Sequence, residues 1–306
     1  MTEQDKKWSS YGFRILLSTV SHPFEYAKVL IQIGYEPIPP RPSTTFFGKP
    51  ALKLPNIFEY VKHIKTVDGF SGCYRGLESK VCGSLLSAIA TQKVIEYLEV
   101  HKNEEEDGVE DEDVEVARRK KFIRTIRNDI LTRATTILVS QPFHVITVRM
   151  MAQFVGRELR YRGIFGSIGE IYRQNGILGF FSGLIPRLLG DILTVLMANS
   201  LTYAINTYVV EEKELQVYTS ATMMFIATAV TYPFQVVSNC MAVTRSGLMA
   251  GSPPLMPHYG TWIDCWNDLS SRNQLKRGSS LIMRYYVGPQ LSLRNEIIPK
   301  ISTFKN

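Results

Sequence analysis

The chain has 306 residues, 45% of them apolar, and a formal net charge of +7, which allows one or two domains with a sizeable core. Its four scattered cysteines, Cys73, Cys82, Cys240 and Cys265, lack CxxC or zinc-type spacing; they exclude a disulfide framework and read as reduced thiols packed as small apolar groups. There is no phosphate loop, G-x-S-x-G or HExxH, and the five histidines are dispersed, so neither an enzyme nor any metal or cofactor is expected.

The first ten residues, "MTEQDKKWSS", resemble neither a secretory signal nor an arginine-rich presequence, which makes any targeting information internal. An apolar segment over about 12–34 contains "HPFEYAK" from His22. After a loop comes "DGFSGCYRGL" (Asp68–Leu77), then a second apolar segment over about 77–98. The acidic run "NEEEDGVEDED" (Asn103–Asp113) and the basic run "RRKKFIRTIR" (Arg118–Arg127) follow. They read as a solvated loop and a helix end at a membrane surface. No aromatic and basic interleaving accompanies them, so nucleic acid is not an expected partner.

A third segment, about 126–153, holds "QPFHVIT" from Gln141; "NGILGFFSGLIPRLL" (Asn175–Leu189) leads into a fourth, about 184–210. The fifth, about 216–244, holds "YPFQVVS" from Tyr232. Gln216 to Thr244 runs about 29 residues without a charge and Ile192 to Val210 about 19, against the ~20 that cross a bilayer as a helix. No sustained period-2 alternation supports a membrane β-barrel. A soluble helical bundle is the competing fold, but two such segments are hard to house in a soluble core of this size. "KRGSSLIMRYY" (Lys276–Tyr286) follows, and the remaining residues hold charges and two prolines with no 18-residue apolar run.

The three proline motifs share the pattern x-P-F-polar-x-x-polar at spacings of about 119 and 91 residues, and each is followed by a glycine-rich turn or its remnant. This is the signature of an internal repeat. Pro23, Pro142 and Pro233 fall inside apolar segments, where each removes a backbone hydrogen bond and kinks a helix. Such kinks are tolerated in a membrane where neighbours or a hydrated cavity satisfy the freed carbonyl.

These residues resemble the mitochondrial carrier family, which carries P-x-[DE]-x-x-[KR] on odd helices and an aromatic-basic-glycine turn before even ones. Pro23, Glu25 and Lys28, then Gly72, Tyr74, Arg75 and Gly76, fit the first repeat. "QPFHVITVRMMAQFVGRE", "NSLTYAINTY" and "YGTWIDCWNDL" resemble more closely its divergent branch, the mitochondrial carrier homologs of the outer membrane. The resemblance covers the chain to about residue 288. It implies an all-α membrane protein: a threefold pseudo-repeat bundle with kinked odd helices, a missing or degenerate sixth helix and a groove open toward lipid. The expected organisation is one domain over 1–306, with repeat 1 at about 8–102, an acidic loop at 103–117, repeat 2 at about 118–210, a truncated repeat 3 at about 211–290 and a tail at 291–306.

The departures from the carrier pattern bear on function. In transporting carriers the acid and base of each odd helix form an inter-repeat salt-bridge ring. Here the second repeat has His144 and Thr147 at those positions, and the third has Gln235 and Ser238. Such a gate cannot form, and five spans leave the polar interior open sideways to lipid. The expected groove residues are Glu25, Lys28, His144, Arg149, Arg187, Asp191, Asn199, Gln235 and Asn239. Ionisable groups in a span are expensive, on the order of 2.5–3.5 kcal/mol each on insertion scales. Glu25 with Lys28 (i, i+3) and Arg187 with Asp191 (i, i+4) are spaced to neutralise one another, and Arg149 is placed to face either a headgroup or the groove.

The resemblance implies a mitochondrial outer-membrane, multi-pass insertase for α-helical proteins, including tail-anchored ones, whose partners are client transmembrane segments and the lipid bilayer. Two other readings stay open: a receptor or scaffold for apoptosis-regulating proteins, and a divergent solute carrier.

Overall fold

The computed structural model describes residues 3–45, 48–106, 114–208 and 213–286. The acidic run beyond residue 106 and the tail at 291–306 lie outside the described residues. The protein is mostly helical. α1 (Glu3–Gln32) is followed by a short hairpin of β1 (Arg41–Thr44) and β2 (Pro50–Lys53). Then come α2 (Ile57–Gly72), α3 (Leu77–Glu106), α4 (Val114–Ala152), α5 (Gly163–Asn175), α6 (Leu184–Tyr208), α7 (Lys213–Val243) and α8 (Trp262–Ser271). Helices occupy all five expected spans, and Pro23, Pro142 and Pro233 lie inside α1, α4 and α7.

The chain divides into two compact units, 1–82 with 142–183 and 236–306, and 83–141 with 184–235. α4 passes from one to the other at Pro142, and α7 just after Pro233.

The first unit has a closely packed core that includes Tyr26, Leu30, Tyr60, Ile64, Ile146, Ile171, Val236 and Leu269. The ring of Phe154 meets those of Tyr26, Tyr35 and His63 edge-on at 6.1, 6.0 and 6.3 Å. Prolines 37, 39, 40 and 42 hold the stretch after α1 extended, and it forms the antiparallel pair with Arg41 opposite Lys53. A reciprocal cap starts α2: the Asn56 side chain accepts from the Glu59 N–H (2.9 Å) while the Glu59 carboxylate accepts from the Asn56 N–H (3.2 Å), satisfying donors that a helix start leaves orphaned. Thr261 and Asp264 do the same for α8.

The glycine-rich turns are used for close approach. Gly183 has φ +75°, and a Cβ there would collide with the Ser238 carbonyl, while Ser238 Oγ donates to the Gly183 carbonyl at 2.9 Å. Gly76, at φ +85°, would bring a Cβ within 3.3 Å of the Thr147 carbonyl. Only glycine adopts this backbone freely and leaves that room. Residues 281–286 lie along the hairpin and the stretch that joins it to α2. The Leu54 N–H donates to the Arg284 carbonyl (2.8 Å), that of Tyr286 to Leu52 (2.8 Å) and that of Ile57 to Leu281 (2.9 Å). Arg284 donates to the Pro55 carbonyl at 2.9 Å and forms a buried ion pair with Glu36.

The second unit is built differently. Its few buried side chains include hydroxyls and an amide: Thr194, Thr231, Ser140 and Gln141 beside Ile137, Val195, Ala198 and Ala227. Thr194 and Thr231 share a 2.6 Å hydrogen bond across α6 and α7, and Thr91 and Thr136 one of 2.9 Å across α3 and α4. Large apolar side chains point outward instead, among them Ile89, Leu131, Leu193, Met224, Phe225 and Val230. Two stretches are long and apolar enough to cross a membrane, Ile177–Tyr208 and Leu215–Val243. Only 22% and 28% of their apolar windows are buried, so they are not core helices shielded from solvent.

Candidate functional site

Within the second unit α4 and α6 carry facing polar residues in reversed order. On α4 these are Asp129, Arg133, Ser140 and Gln141; on α6 they are Arg187, Asp191 and Asn199. Spacings of four, seven and eight residues keep each set on one helical face. At one end the Asn199 amide donates to the Asp129 carboxylate at 2.8 Å. In the middle Arg133 Nε lies 3.9 Å from Asp191 Oδ1. At the other end Arg187 donates to Gln141 Oε1 at 2.8 Å and to Ser140 Oγ at 3.5 Å. From residue 129 to 141 at 1.5 Å per residue the ladder runs roughly 18 Å, more than half of a ~30 Å hydrocarbon core.

The four charges of this ladder cancel in sum. The central pair is loose and the Asp191 side chain stays 33% exposed. A pair at the edge of contact is loosely held, so an incoming polar group can take the place of either partner at small cost. Arg187 has a tighter setting, with two neutral acceptors.

The first unit holds a second group. Glu25 on α1 accepts from Ser21 Oγ at 3.1 Å and pairs with Lys80 on α3. His22 Nε2 lies 3.1 Å from the Arg75 carbonyl, and the Arg75 guanidinium pairs with Asp68 at 2.9 Å. Lys28 and His144 are half-buried.

Arg149 and Asn239 are placed elsewhere than expected. Arg149 is fully buried and faces neither headgroup nor groove. Its guanidinium donates to the Ala242 carbonyl (2.9 Å), Asn175 Oδ1 (2.9 Å) and the Tyr161 hydroxyl (3.3 Å), so it pins α4 to α5 and α7. Neutral acceptors on α5, on α7 and in the loop before α5 replace water around its Nε and Nη1. Asn239 is likewise buried, its amide donating to Gln32 Oε1 at 2.7 Å. Gln235 is exposed. Of the expected groove residues, Arg187, Asp191 and Asn199 thus come together on α6. Their partners Asp129 and Arg133 were not singled out in the sequence, although an acid and a base at i, i+4 within a candidate span are a readable sign. Among the described residues no group of three or more His, Cys, Asp or Glu side chains is placed to hold a metal ion.

Comparison with known proteins agrees with this architecture. Residues 120–213 match the family model described as mitochondrial carrier protein. The chain is similar to mitochondrial carrier homolog 2 of Mus musculus, 43% identical over 276 residues that cover 88% of this chain and 90% of that one. It is similar to mitochondrial carrier homolog 1 of the same species at 37% identity, covering 88% and 74%. A more distant similarity is to tricarboxylate transport protein B, mitochondrial, of Danio rerio: 25% identity over 170 residues, covering 56% and 47%.

Proposed function

The chain belongs to the mitochondrial carrier homologs, and on that premise we propose that it is an outer-membrane insertase for α-helical proteins, tail-anchored ones included. The observation that carries this reading is the α4–α6 ladder: four charges and three neutral polar side chains in one row, in a unit whose outward surface is apolar. A hydrated row of weakly paired groups lowers the cost of moving a short polar flank through hydrocarbon. The client's apolar helix then partitions into lipid under its own hydrophobicity. No covalent chemistry is needed, and a tight pocket would trap the client. A central ion pair at 3.9 Å with a one-third exposed carboxylate has the looseness this task needs.

The family resemblance implies kinked odd helices and a polar interior open toward lipid, and the proposed role uses both. A solute gate is disfavoured by the replacement of its charges with His144, Thr147, Gln235 and Ser238.

The test is reconstituted insertion of a tail-anchored helix into proteoliposomes holding the wild-type protein, Lys28→Glu, Asp191→Arg or no protein. Insertion that depends on the protein and changes with the charge reversals supports the reading. Equal insertion in all four samples sinks it. Recruitment of apoptosis regulators through residues 101–118, with both reversals silent, would favour the docking role instead.

A further inference from the structure

The four cysteines are not alike. Cys82 is half-buried on α3, and Cys73 is buried with its Sγ 3.6 Å from the Gly69 carbonyl one turn back. Cys240 on α7 and Cys265 on α8 are both fully buried, and their thiols are hydrogen-bonded to each other. Packing as small apolar groups does not account for what surrounds this pair. Cys240 Sγ accepts from Arg277 Nη2 at 3.2 Å and donates to the Gln32 carbonyl at 3.5 Å. One sulfur therefore has a second thiol and a cation against it.

That combination has a chemistry. A guanidinium bonded to a sulfur favours the thiolate, the form that attacks a peroxide. A second thiol in contact lets the sulfenic acid so formed end as a disulfide instead of going on to sulfinic acid. The bond to Cys240, together with burial, pushes the Cys265 thiol up, so Cys265 keeps its proton and is the donor of the pair. Buried thiols without access are inert, but here a route leads in. Arg277 is half-buried and lines a cavity of about 270 Å³ with Glu36, Gln274 and Ser280, and the same side chain reaches the Cys240 sulfur. Hydrogen peroxide is little larger than water, which takes about 30 Å³, so the cavity admits it.

We propose that Cys240 and Cys265 form a peroxide-sensitive dithiol that closes to a disulfide and joins α7 to α8. The Cys240 thiolate attacks one oxygen of hydrogen peroxide. An S–O bond forms, the O–O bond breaks, and the departing hydroxide takes up the proton that the thiol had lost and leaves as water. The Cys265 sulfur then attacks the Cys240 sulfur. The S–O bond breaks, and hydroxide leaves with the Cys265 proton as a second water. Two thiols are oxidised by two electrons and one peroxide is reduced to two waters. Arg277 is the positioning residue that holds the attacking sulfur as a thiolate. The site stands whether or not the protein inserts clients, because it rests on contacts within the first unit.

The full-length protein in detergent micelles is treated with hydrogen peroxide, quenched and unfolded. Its thiols are alkylated before and after reduction with reagents of different mass, and peptide mass spectrometry reads each cysteine. The expected product is a Cys240–Cys265 cross-link that reduction removes. Arg277→Gln should slow its formation several-fold while Cys82 is oxidised at the wild-type rate, and Cys265→Ser should leave a Cys240 sulfenic acid that dimedone traps. Cys240 and Cys265 that stay reduced at a peroxide dose oxidising Cys82, or that reach sulfinic acid without a cross-link, would overturn the dithiol. An unchanged rate in Arg277→Gln would overturn the part given to Arg277. The wild-type cross-link and the Cys265→Ser trap need no change at Arg277, so the test holds even where that variant does not fold.

Discussion

Replacing Arg284 with methionine removes the cation from a pair whose side chains are only 5% and 6% exposed. Burial pushes the Glu36 carboxyl up, and the Arg284 guanidinium holds it down. Without that guanidinium the carboxylate must stay charged in a poor solvent or take a proton. Protonating a carboxyl of ordinary pKa near 4.3 costs at most about 3.7 kcal/mol at pH 7 and about 1 kcal/mol at pH 5. The lost bond to the Pro55 carbonyl adds roughly 1–2 kcal/mol at either pH. The expected loss is therefore at most about 5 kcal/mol at pH 7, near the upper end for breaking one side of a buried pair, and at most about 2–3 kcal/mol at pH 5.

The sign follows from linkage. The variant's folded Glu36 pKa lies above its unfolded value, so the folded state is favoured at low pH and loses that favour as pH rises. The assay is denaturant unfolding in detergent micelles followed by tryptophan fluorescence at pH 5, 6 and 7. Glu36→Gln combined with Arg284→Met should lose only the pH-independent part. A loss for Arg284→Met that is the same at pH 5 and pH 7 would falsify the assignment of a charged, buried pair.

Other expected outcomes rest on separate contacts. Arg133→Asp and Asp191→Arg should each slow client insertion by placing like charges against one another, and the double exchange should recover much of the rate; proteoliposome insertion reads all three, and no recovery would deny that the two side chains act as a pair. Gly183→Ala should lower the unfolding midpoint, by an equivalent of about 2 kcal/mol or more, because it forces a side chain into a left-handed backbone and against the Ser238 carbonyl. Thr194→Val or Thr231→Val alone leaves a buried hydroxyl without its cross-helix partner and should cost about 1 kcal/mol. The double substitution should cost less than the sum of the two, checked by the same unfolding assay.

Much of the fold was legible because its cues are local. A run without charge over 216–244 marks a span by length alone, and the turn glycines at 76 and 183 stand beside aromatic residues in motifs that repeat. Helical periodicity also put Arg187 and Asp191 on one face of α6. The meeting of Cys240 with Cys265 and Arg277 needed the structure, because the spacing of these residues in the sequence carries no sign of contact.

What the sequence by itself determined is which segments are helical, which are apolar enough for a membrane and to which family the chain belongs, since each follows from neighbouring residues and short motifs. Only the tertiary structure decided who meets whom. Glu25 pairs with Lys80, Asp191 faces Arg133, and Arg149 lies buried among Ala242, Asn175 and Tyr161. A side chain's partner across helices depends on which segment is packed beside it and in what register, and periodicity along a single helix carries no record of either.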